Sequence, residues 1–464
     1  MSGQKCDIIL IGAGPANIFA ALHLADKGYK VVFLEKGHGL EKRSCPKKKG
    51  QCVNCVHCAI LNGWGGAGAY SDGKLTLSTG FGGALPELIG EDQAKMLIKR
   101  ADEIYLSFGA PMELHGTDEK VVQRLRQRAA AAELELIPSP IRHLGTENCY
   151  KILDEMKRTL EKKADIRFNE AASEILVEGG RVKGVKTACD KQYDAGYVIC
   201  GPGRQGSPWM YSEAQRLGLE LFNNPVDIGV RVELPAGVME PISSRLYESK
   251  FIYYSPSFDD KVRTFCMNPY GEVVLENSEG VITVNGHSYR EKERHTENTN
   301  FALLVSKNFT RPFNEPIRYG RYIASLANML GGGVLVQRLG DLLAGRRSTP
   351  ERINRGLVRP TLLEATPGDL SLVLPYRYLK SIMEMMEALD RISPGVNSRH
   401  TLLYGVEVKF YSHRLKLTSN LETEILNMFA VGDGAGITRG LIQASASGLV
   451  AAEEIDRRLG GKLN

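Results

Sequence analysis

Several features are scarce in this 464-residue sequence, and each absence excludes a class of protein. No apolar run reaches the roughly 18 residues that a membrane helix needs. The sequence contains no internal repeat and no low-complexity segment, so a repeat protein and a largely disordered chain are excluded. The first strand pattern begins by residue 7, which leaves no room for a targeting segment. The sequence therefore predicts a soluble, cytoplasmic protein.

Charge of one sign is also limited. The net charge is +5, and 24% of the residues are charged, so the composition alone does not indicate a nucleic-acid partner. The hydrophobic fraction of 43% is ordinary for a globular protein, and the length predicts two domains. The composition leaves the oligomeric state open.

Residues 6–36 show the order of a dinucleotide-binding βαβ unit. A strand is followed by a glycine turn, a helix, a second strand and an acidic residue. The first glycine permits a tight turn, and the second lets the backbone approach a pyrophosphate at the helix N-terminus. The acid is expected to accept hydrogen bonds from ribose hydroxyls, and Asn17 replaces the usual third glycine. The predicted cofactor-binding residues are Gly12, Gly14, Pro15, Ala16, Glu35 and Lys36. A glycine-rich turn without a ligand is the alternative.

The end of the chain favours FAD as that cofactor. An apolar strand at 426–431 precedes GDGAG and a predicted helix from about 440 to 459, which resembles the GD motif of the glutathione-reductase-type FAD superfamily. The resemblance implies that Asp433 holds the ribityl and pyrophosphate part of FAD. It also implies that the last helix directs its positive N-terminal end at the flavin pyrimidine. A third apolar strand ends in glycines at 197–203. The further cofactor residues predicted here are Gly201, Gly203, Gly434, Gly440 and Leu441.

Four of the nine cysteines fall within fourteen residues, in the pattern C-x6-C-x2-C-x2-C formed by Cys45, Cys52, Cys55 and Cys58. In a cytosolic chain, such a cluster favours a metal over disulfides. Iron–sulfur clusters take four cysteines, and we predict a centre of the 4Fe-4S type. Structural zinc usually has two pairs separated by a longer spacer. Zinc and free or redox-active thiols remain alternatives, and His57 is a possible substitute ligand.

The surroundings of the cysteines suggest a route for electrons. An iron–sulfur centre beside a flavin converts one-electron delivery into two-electron chemistry. The chain contains no second glycine motif after a strand, so NAD(P)H has no evident domain. We therefore expect electrons to come from the substrate or from a carrier such as ferredoxin. An acidic carrier could dock on the basic residues that flank the cluster, Lys42, Arg43, Lys47, Lys48 and Lys49, although a solvated loop is the alternative.

A glycine-rich segment, GWGGAGAYSDGKLTL, follows the cysteines at residues 63–77. Glycines at this density permit close backbone approach to a flat ligand, and the isoalloxazine ring is the expected one. Together with the cysteines and GDGAGITRG, this segment resembles the bacterial and archaeal uncharacterised FAD-dependent dehydrogenase family. The resemblance implies an FAD-containing oxidoreductase and supplies no substrate. The residues predicted to contact the flavin are Gly65, Gly66, Ala67, Gly68 and Lys74.

These patterns predict an α/β fold in which a Rossmann-like FAD-binding domain of the glutathione-reductase type carries an inserted α+β substrate or cap domain. The FAD-binding domain is expected to comprise residues 1–84, 141–206 and 401–464. Amphipathic helices occupy 85–140, and the inserted domain spans 207–400. Alternating strands in the insertion place polar groups on one sheet face. Candidate substrate-binding or catalytic residues are His143, Arg231, Arg263, His287 and Tyr289, with His143 or Tyr289 as the acid or base.

The predicted function is hydride transfer between a small organic substrate and flavin N5, with an iron–sulfur relay to an electron carrier. One alternative is a flavin-linked thiol–disulfide reductase that uses the cysteine cluster. Another is an FAD-bound protein that modifies or binds RNA through the basic residues near the cluster. We expect neither a nucleic-acid nor a membrane partner.

Overall fold

A computed structural model gives the architecture of the chain. It describes residues 4–46, 53, 55–278, 280–289, 291–309, 312–313 and 315–460.

The strands of the described residues range from two to ten residues in length. In chain order they are β1 Gln4–Ile11, β2 Val31–Glu35, β3 Lys74–Thr76, β4 Glu135–Ile137, β5 Ile141–His143, β6 Asp165–Phe168, β7 Ala172–Glu178, β8 Arg181–Thr187, β9 Gln192–Cys200, β10 Leu221–Phe222, β11 Val226–Pro235, β12 Lys250–Tyr254, β13 Lys261–Asn268, β14 Glu272–Ser278, β15 Val281–His287, β16 Asn298–Lys307, β17 Leu335–Arg338, β18 Thr366–Pro367, β19 Leu402–Lys409, β20 Arg414–Leu415 and β21 Met428–Ala430.

The α-helices vary from one turn to twenty residues. In chain order they are α1 Pro15–Ala25, α2 Leu85–Ile89, α3 Glu91–Ser107, α4 Glu119–Ala131, α5 Thr146–Glu161, α6 Ser207–Arg216, α7 Ala236–Leu246, α8 Pro316–Gly331, α9 Leu339–Leu343, α10 Pro350–Asn354, α11 Tyr376–Ile392 and α12 Leu441–Gly460.

The chain divides into two compact units. Unit 1 comprises Met1–Glu113, Arg142–Asn224 and Tyr411–Asn464, and unit 2 comprises Leu114–Ile141 and Pro225–Phe410. The sequence placed the boundaries of the inserted domain at 207 and 400 instead. It also treated 85–140 as one helical segment, whereas α3 lies in unit 1 and α4 in unit 2.

Unit 1 is built on a seven-stranded sheet with the order β6-β2-β1-β9-β8-β7, in which β21 also pairs with β9. β1 is parallel to β2 and β9, and β9 is parallel to β21. The strands on the parallel side are almost continuous apolar runs, which is typical of strands buried on both faces. α1 and α12 pack on each other, and Gly448 of α12 is required because a Cβ there would overlap the Ala16 carbonyl oxygen. This packing places the N-terminal halves of both helices in one core.

The predicted meander at 167–187 is present in part as the antiparallel hairpin β7–β8. Its turn is Gly179-Gly180, with φ angles of +57° and +72°. Two successive positive φ values match a type I′ hairpin turn, which favours glycine. The preceding strand β6 instead pairs in parallel with β2.

Unit 2 contains an eight-stranded sheet with the order β18-β17-β19-β11-β16-β13-β12-β4. The alternation predicted for β11 is confirmed. Ile228, Val230, Val232 and Leu234 belong to a hydrophobic core with α11. The opposite face of β11 carries Asp227, Arg231 and Glu233, all of them buried. This face of β11 is therefore polar and shielded from solvent. In the described residues, no helix has the length and apolarity needed to span a membrane.

Candidate cofactor site

The glycine turns that the sequence predicts as cofactor-binding lie together in unit 1. β1, β9 and β21 are parallel neighbours, and their last residues pair as Ile11 with Cys200 and Cys200 with Ala430. Gly12 and Gly201 follow the first two strands directly. Ligands of open α/β sheets bind outside the carboxyl ends of such strands. Segments from the beginning, middle and end of the chain thus form one candidate site.

The two glycines of the first turn have different physical roles. Gly12 has a φ of +91°, and a Cβ there would lie 2.5 Å from the Gly201 carbonyl oxygen. Gly14 has an ordinary φ of −83° and is the N-cap residue of α1. Apart from its chain neighbours, no described residue has an atom within 4 Å of the position that a Cβ on Gly14 would take. Gly12 is therefore needed for the fold, while Gly14 keeps open space at a helix N-terminus, where amides and dipole favour an anion.

Asn17, which stands in place of the third glycine, binds the turn with its side chain. Its Nδ2 donates to the carbonyl oxygens of Ile11 and Gly12, each at 2.8 Å. Asn17 is fully buried. Gly201 leaves room for it, because a Cβ on residue 201 would come within 3.0 Å of the Asn17 side-chain amide. Hydrogen bonding by Asn17 thus replaces the tight packing that a third glycine gives.

Glu35 holds three backbone segments in unit 1. Its Oε2 accepts from the Ala13 amide at 2.7 Å, and its Oε1 accepts from the amides of Gly37 and Gly63 at 2.7 and 3.0 Å. A carboxylate oxygen has two lone pairs, so Oε2 keeps one further acceptor position. This remaining position could accept a hydrogen bond from a ribose hydroxyl, and the contact stays a prediction.

Asp433 begins the short 3-10 turn Asp433–Ala435. One carboxylate oxygen accepts from Nε of Arg204 at 3.1 Å, and the other accepts from the hydroxyl of Thr438 at 2.7 Å. A Cβ on Gly434 would lie 2.9 Å from the Pro202 ring, so the turns after Gly201 and Gly432 are in direct contact. Sequence reasoning did not pair Arg204 with Asp433, because no local pattern identifies a partner that is 229 residues away in the chain. Thr438, only five residues from Asp433, was also missed.

The glycine-rich segment borders the same turn. The Gly65 amide donates to the Ala13 carbonyl at 2.8 Å. A Cβ on Gly66 would lie 3.4 Å from the Gly14 Cα. The segment therefore closes one side of the first turn, and its contact with a flavin stays a prediction.

The start of α12 borders this segment as well. A Cβ on Gly68 would lie 2.7 Å from Cδ2 of Leu441, the first residue of α12. Gly440 lies beside Gly82, and Pro15 and Ala16 form the first turn of α1. Ala67 is exposed. The N-termini of α1 and α12 are therefore both near the glycine-rich segment.

Gln443 is a site residue that sequence reasoning missed. It is fully buried in the first turn of α12, and its Nε2 donates to the Phe81 carbonyl at 2.7 Å. Its Oε1 has no hydrogen-bond partner among the described residues. A Cβ on Gly83 would come within 3.0 Å of that oxygen. Such a buried acceptor beside a helix N-terminus suits an N–H group of a ligand. In the sequence, the adjacent glycines at 82–83 were the one sign that a chain segment approaches the start of α12 closely here.

The two lysines predicted to contact the cofactor are partly engaged. Nζ of Lys36 donates to the Gln205 carbonyl at 3.2 Å, so this lysine joins the end of β2 to the turn after Gly203. Nζ of Lys74 forms an ion pair with Asp72 at 2.9 Å, and both side chains are largely buried. Their contacts with a cofactor stay predictions.

The described cysteines of the predicted cluster do not form a metal site. Cys45 and Cys55 are exposed, Cys58 is half-buried, and all three are free. Among the described residues, no group of three or more His, Cys, Asp or Glu side chains could hold a metal ion. Four residues of this prediction lie outside the described residues, namely Cys52, Lys47, Lys48 and Lys49. The iron–sulfur interpretation gains no support and stays a prediction.

Arg43, which the sequence placed in a basic docking segment, is buried instead. Its guanidinium donates to the carbonyl oxygens of Ala59 at 2.9 Å, Ile60 at 2.6 Å and Trp64 at 2.5 Å. It also stacks over the Tyr70 ring. Arg43 thus fixes the loop between the cysteines and the glycine-rich segment, and it offers no surface charge to a partner.

Arg231, a candidate for substrate binding, lies in a polar cluster inside unit 2. It is fully buried and forms a bidentate ion pair with Glu407, at 2.7 and 2.8 Å. Its other three donors bind the Cys266 carbonyl and the side chains of Asn285 and Asn300. All five guanidinium donors are therefore used, which favours a structural role for Arg231.

The other candidates in unit 2 form two groups. Arg263 is buried and ion-paired with Asp227. In the second group, the rings of His287 and Tyr289 meet edge to face, and the Tyr289 hydroxyl donates to Glu272 at 2.6 Å. Burial, followed by this hydrogen bond, raises the pKa of Tyr289 to about 12. Tyr289 keeps its proton at neutral pH, and the raised pKa makes it a weaker acid than an ordinary tyrosine.

His143 lies in unit 1, at the end of β5. It is buried, and the next residue, Leu144, donates its amide to the Gly73 carbonyl at 3.0 Å. The preceding Arg142 forms a buried bidentate ion pair with Asp102, with both distances 2.7 Å. This segment is rigidly held beside β3, which carries Lys74. A proton-transfer role for His143 stays a prediction.

The residues of unit 1 fit an FAD molecule. Gly14 leaves open space at the N-terminus of α1 for a pyrophosphate, and the orphaned Oε1 of Gln443 suits an N–H of the flavin pyrimidine. Asp433 and Glu35 supply carboxylates for hydroxyl groups. These features belong to the carboxyl edge of the unit 1 sheet, which is where a dinucleotide binds in α/β folds of this kind.

Comparisons with known proteins give a distant relative and several distant structures. A Clostridium beijerinckii protein described as an uncharacterized protein is 27% identical over 485 residues, covering 97% of this chain and 81% of that protein. L-proline dehydrogenase from P. horikoshii has a TM-score of 0.43 at 13% identity and covers 98% of this chain and 95% of its own. Glycine oxidase from Bacillus cereus has a TM-score of 0.40 at 13% identity, covering 98% and 96%. These TM-scores are too low to transfer an activity or a substrate.

One family match falls on the second segment of unit 2, Pro225–Phe410. Residues 225–410 match the family described as FAD-dependent protein, C-terminal domain-like.

Proposed function

We propose that this protein is an FAD-dependent oxidoreductase. The observation that carries the proposal is the meeting of the turns after β1, β9 and β21 beside the open space at Gly14. The family match over residues 225–410, whose description names an FAD-dependent protein, supports it from the other unit. When bound, FAD would accept or donate a hydride at its N5 atom.

The residues of unit 1 would bind and orient the cofactor. The α1 N-terminus and the Gly14 backbone would take the pyrophosphate, and Asp433 and Glu35 would accept hydroxyl hydrogens. The N-terminus of the twenty-residue helix α12 supplies a positive dipole end that favours negative charge on a neighbouring ring. The buried Gln443 would fix the position of that ring by accepting an N–H.

The finer parts of the proposal concern the substrate and the electron carrier. We propose a small organic substrate as hydride donor or acceptor, with His143 or Tyr289 as the acid or base. A ferredoxin-like carrier and a 4Fe-4S centre at the cysteine loop remain part of the hypothesis, and no step of the chemistry described above depends on them. The thiol–disulfide and RNA alternatives gain no support from the described residues.

Replacing Asp433 with alanine tests the proposed site. The change removes the acceptor for a cofactor hydroxyl and also the partner of Arg204 and Thr438. We expect the purified D433A protein to lose most of its FAD, with an affinity at least about tenfold weaker, because a hydrogen bond to a charged group is lost. Flavin absorbance per chain and titration with FAD measure the effect.

The matched control is D369A. Asp369 is likewise an aspartate at the start of a 3-10 turn: it caps Leu370–Leu372 and accepts from the Ser371 amide, but it lies in unit 2. We expect the D369A protein to keep FAD at the wild-type level. A D433A protein that is folded and retains its full flavin content would refute the role given to Asp433.

A further inference from the structure

A cluster of arginines lies in unit 2, which contains none of the residues assigned to the cofactor. Residues 338–359 contain six arginines and only two acidic residues, Asp341 and Glu351. A second segment, Arg399-His400, joins them, because the amides of Leu339 and Gly340 donate to the carbonyls of Thr401 and Arg399 at 2.8 and 3.1 Å. The end of β17 and the approach to β19 are thus held side by side. The local charge is strongly positive.

The side chains of this cluster are fixed by backbone carbonyls. Arg338 donates through Nη1 to the Arg352 carbonyl at 3.0 Å, and Arg352 donates through Nη1 to the Arg347 carbonyl at 2.8 Å. Carbonyl partners orient a guanidinium without neutralising it. The carboxylate of Asp341 lies near Arg338, but its oxygens accept from Arg346 and the Ser348 hydroxyl, at 3.0 and 2.8 Å.

Two buried donors in the cluster have no partner among the described residues, and these are Nε of Arg338 and Nδ1 of His400. Nε of Arg399 donates to Nε2 of His400 at 3.2 Å, so Nε2 is the acceptor nitrogen and Nδ1 carries the hydrogen. The pKa of His400 is lowered, first by burial and then by the charges of Arg338 and Arg399, which keeps this neutral tautomer at pH 7. Both orphaned atoms are therefore N–H donors.

Buried donors without partners cost free energy, and a group that accepts from both would remove that cost. We propose that Arg338, Arg399 and His400 form a binding site for a phosphate group, either free or as part of a phosphorylated small molecule. Arg399 is exposed and Arg338 and His400 are half-buried, so the cluster borders solvent. The two orphaned atoms are themselves buried, so a ligand meets them when these side chains turn outward.

The chemistry of the donors favours phosphate over other anions. The guanidinium group binds phosphate oxygens with parallel N–H donors and stays charged at any physiological pH. Donors from three residues would engage three oxygens of a tetrahedral oxyanion, whereas a planar carboxylate offers only two oxygens. Sulfate has the same shape and serves as an analogue.

Isothermal titration of the full-length protein with inorganic phosphate, sulfate and acetate tests the proposal. The protein is kept saturated with FAD, so that phosphate does not report on the Gly14 turn in unit 1. We expect phosphate and sulfate to bind at one saturable site, and acetate to bind at least about tenfold more weakly. Acetate binding as tight as phosphate, or no saturable binding of phosphate, would overturn the proposal.

Two variants test whether phosphate binds at these residues. Arg338→Lys keeps the positive charge but removes the Nε–H donor, and Arg399→Gln removes the charge at an exposed position that does not endanger folding. Each should weaken phosphate binding by about tenfold or more. The control Arg318→Gln removes one exposed arginine from α8 and should bind phosphate like the wild type.

The outcomes separate this site from the cofactor site. Unchanged phosphate affinity in both R338K and R399Q would overturn the assignment, even if both proteins are fully folded. The test does not depend on the proposed oxidoreductase function, because the variants leave unit 1 unchanged and the readout is phosphate binding. A protein that binds no FAD could still show the phosphate site, and the reverse also holds.

Discussion

The Gly14→Ala protein is expected to fold like the wild type and to purify almost without FAD. Gly14 has an ordinary φ, and an alanine Cβ would meet no atom within 4 Å, so the substitution leaves the FAD-free fold undisturbed. The same Cβ would occupy the open space at the N-terminus of α1. A pyrophosphate must approach the backbone there closely to reach the helix amides.

The neighbouring Gly12 would not give such a clear result. Its φ of +91° and its distance to the Gly201 carbonyl mean that Gly12→Ala would distort the junction of β1 and β9. Loss of FAD in that variant would follow from damage to the fold as well as from a blocked site. Gly14 separates the two effects, since only the approach of the ligand changes.

The measurement for Gly14→Ala is FAD affinity together with the thermal unfolding of the FAD-free protein. We expect affinity to fall on the order of a hundredfold and the unfolding temperature to stay unchanged. Gly237→Ala is the matched control, because Gly237 also has open space around its Cβ position but lies in unit 2. If the Gly14→Ala protein bound FAD as tightly as the wild type, the assignment of the pyrophosphate to this turn would be wrong.

The second large effect is expected at Arg231. Replacing it with methionine leaves Glu407 buried, with Lys409 at 3.2 Å as its one remaining cation among the described residues. The change also removes one donor each from the Cys266 carbonyl and from two asparagine side chains, which keep other donors. Removing one partner of a buried ion pair usually costs about 3–5 kcal/mol of the free energy of unfolding. We expect a loss in that range.

Hydrogen exchange of the β11 and β16 amides measures this loss within unit 2, because their opening reports the local free energy of unfolding. The double variant R231M/E407L should recover part of the loss, since it leaves no unpaired charge. The control R318M breaks an exposed ion pair and should leave the free energy of unfolding almost unchanged. A stable R231M protein that fails only in substrate turnover would favour the substrate-binding interpretation instead.

The elements of the nucleotide unit were predictable because their signals are local. The apolar run and glycines at 6–14 predict β1 and its turn, and the alternation at 226–234 predicts one buried and one polar face for β11. The hairpin turn at Gly179-Gly180 is similarly encoded by two adjacent residues. In each case, the residues that decide the structure are close together in the chain.

The interactions that the sequence did not predict depend on residues that are far apart in the chain. The pairing of Arg204 with Asp433 and the use of Glu35 by the amides of Ala13, Gly37 and Gly63 arise only when the sheet is assembled. Arg231 shows the same limit. Its position on a polar strand face suggested substrate binding, but five internal acceptors occupy its donors.

The measurement that tests the central claim most directly is the cofactor content of the wild-type protein, purified without oxygen. Flavin is released and identified by chromatography, iron and acid-labile sulfide are assayed, and absorption is recorded before and after dithionite. The account predicts about one FAD per chain, with flavin absorbance that bleaches on reduction. Iron and sulfide of about four each would also confirm the predicted cluster, and their absence would remove it. A folded protein that holds no flavin and binds no added FAD would contradict the account.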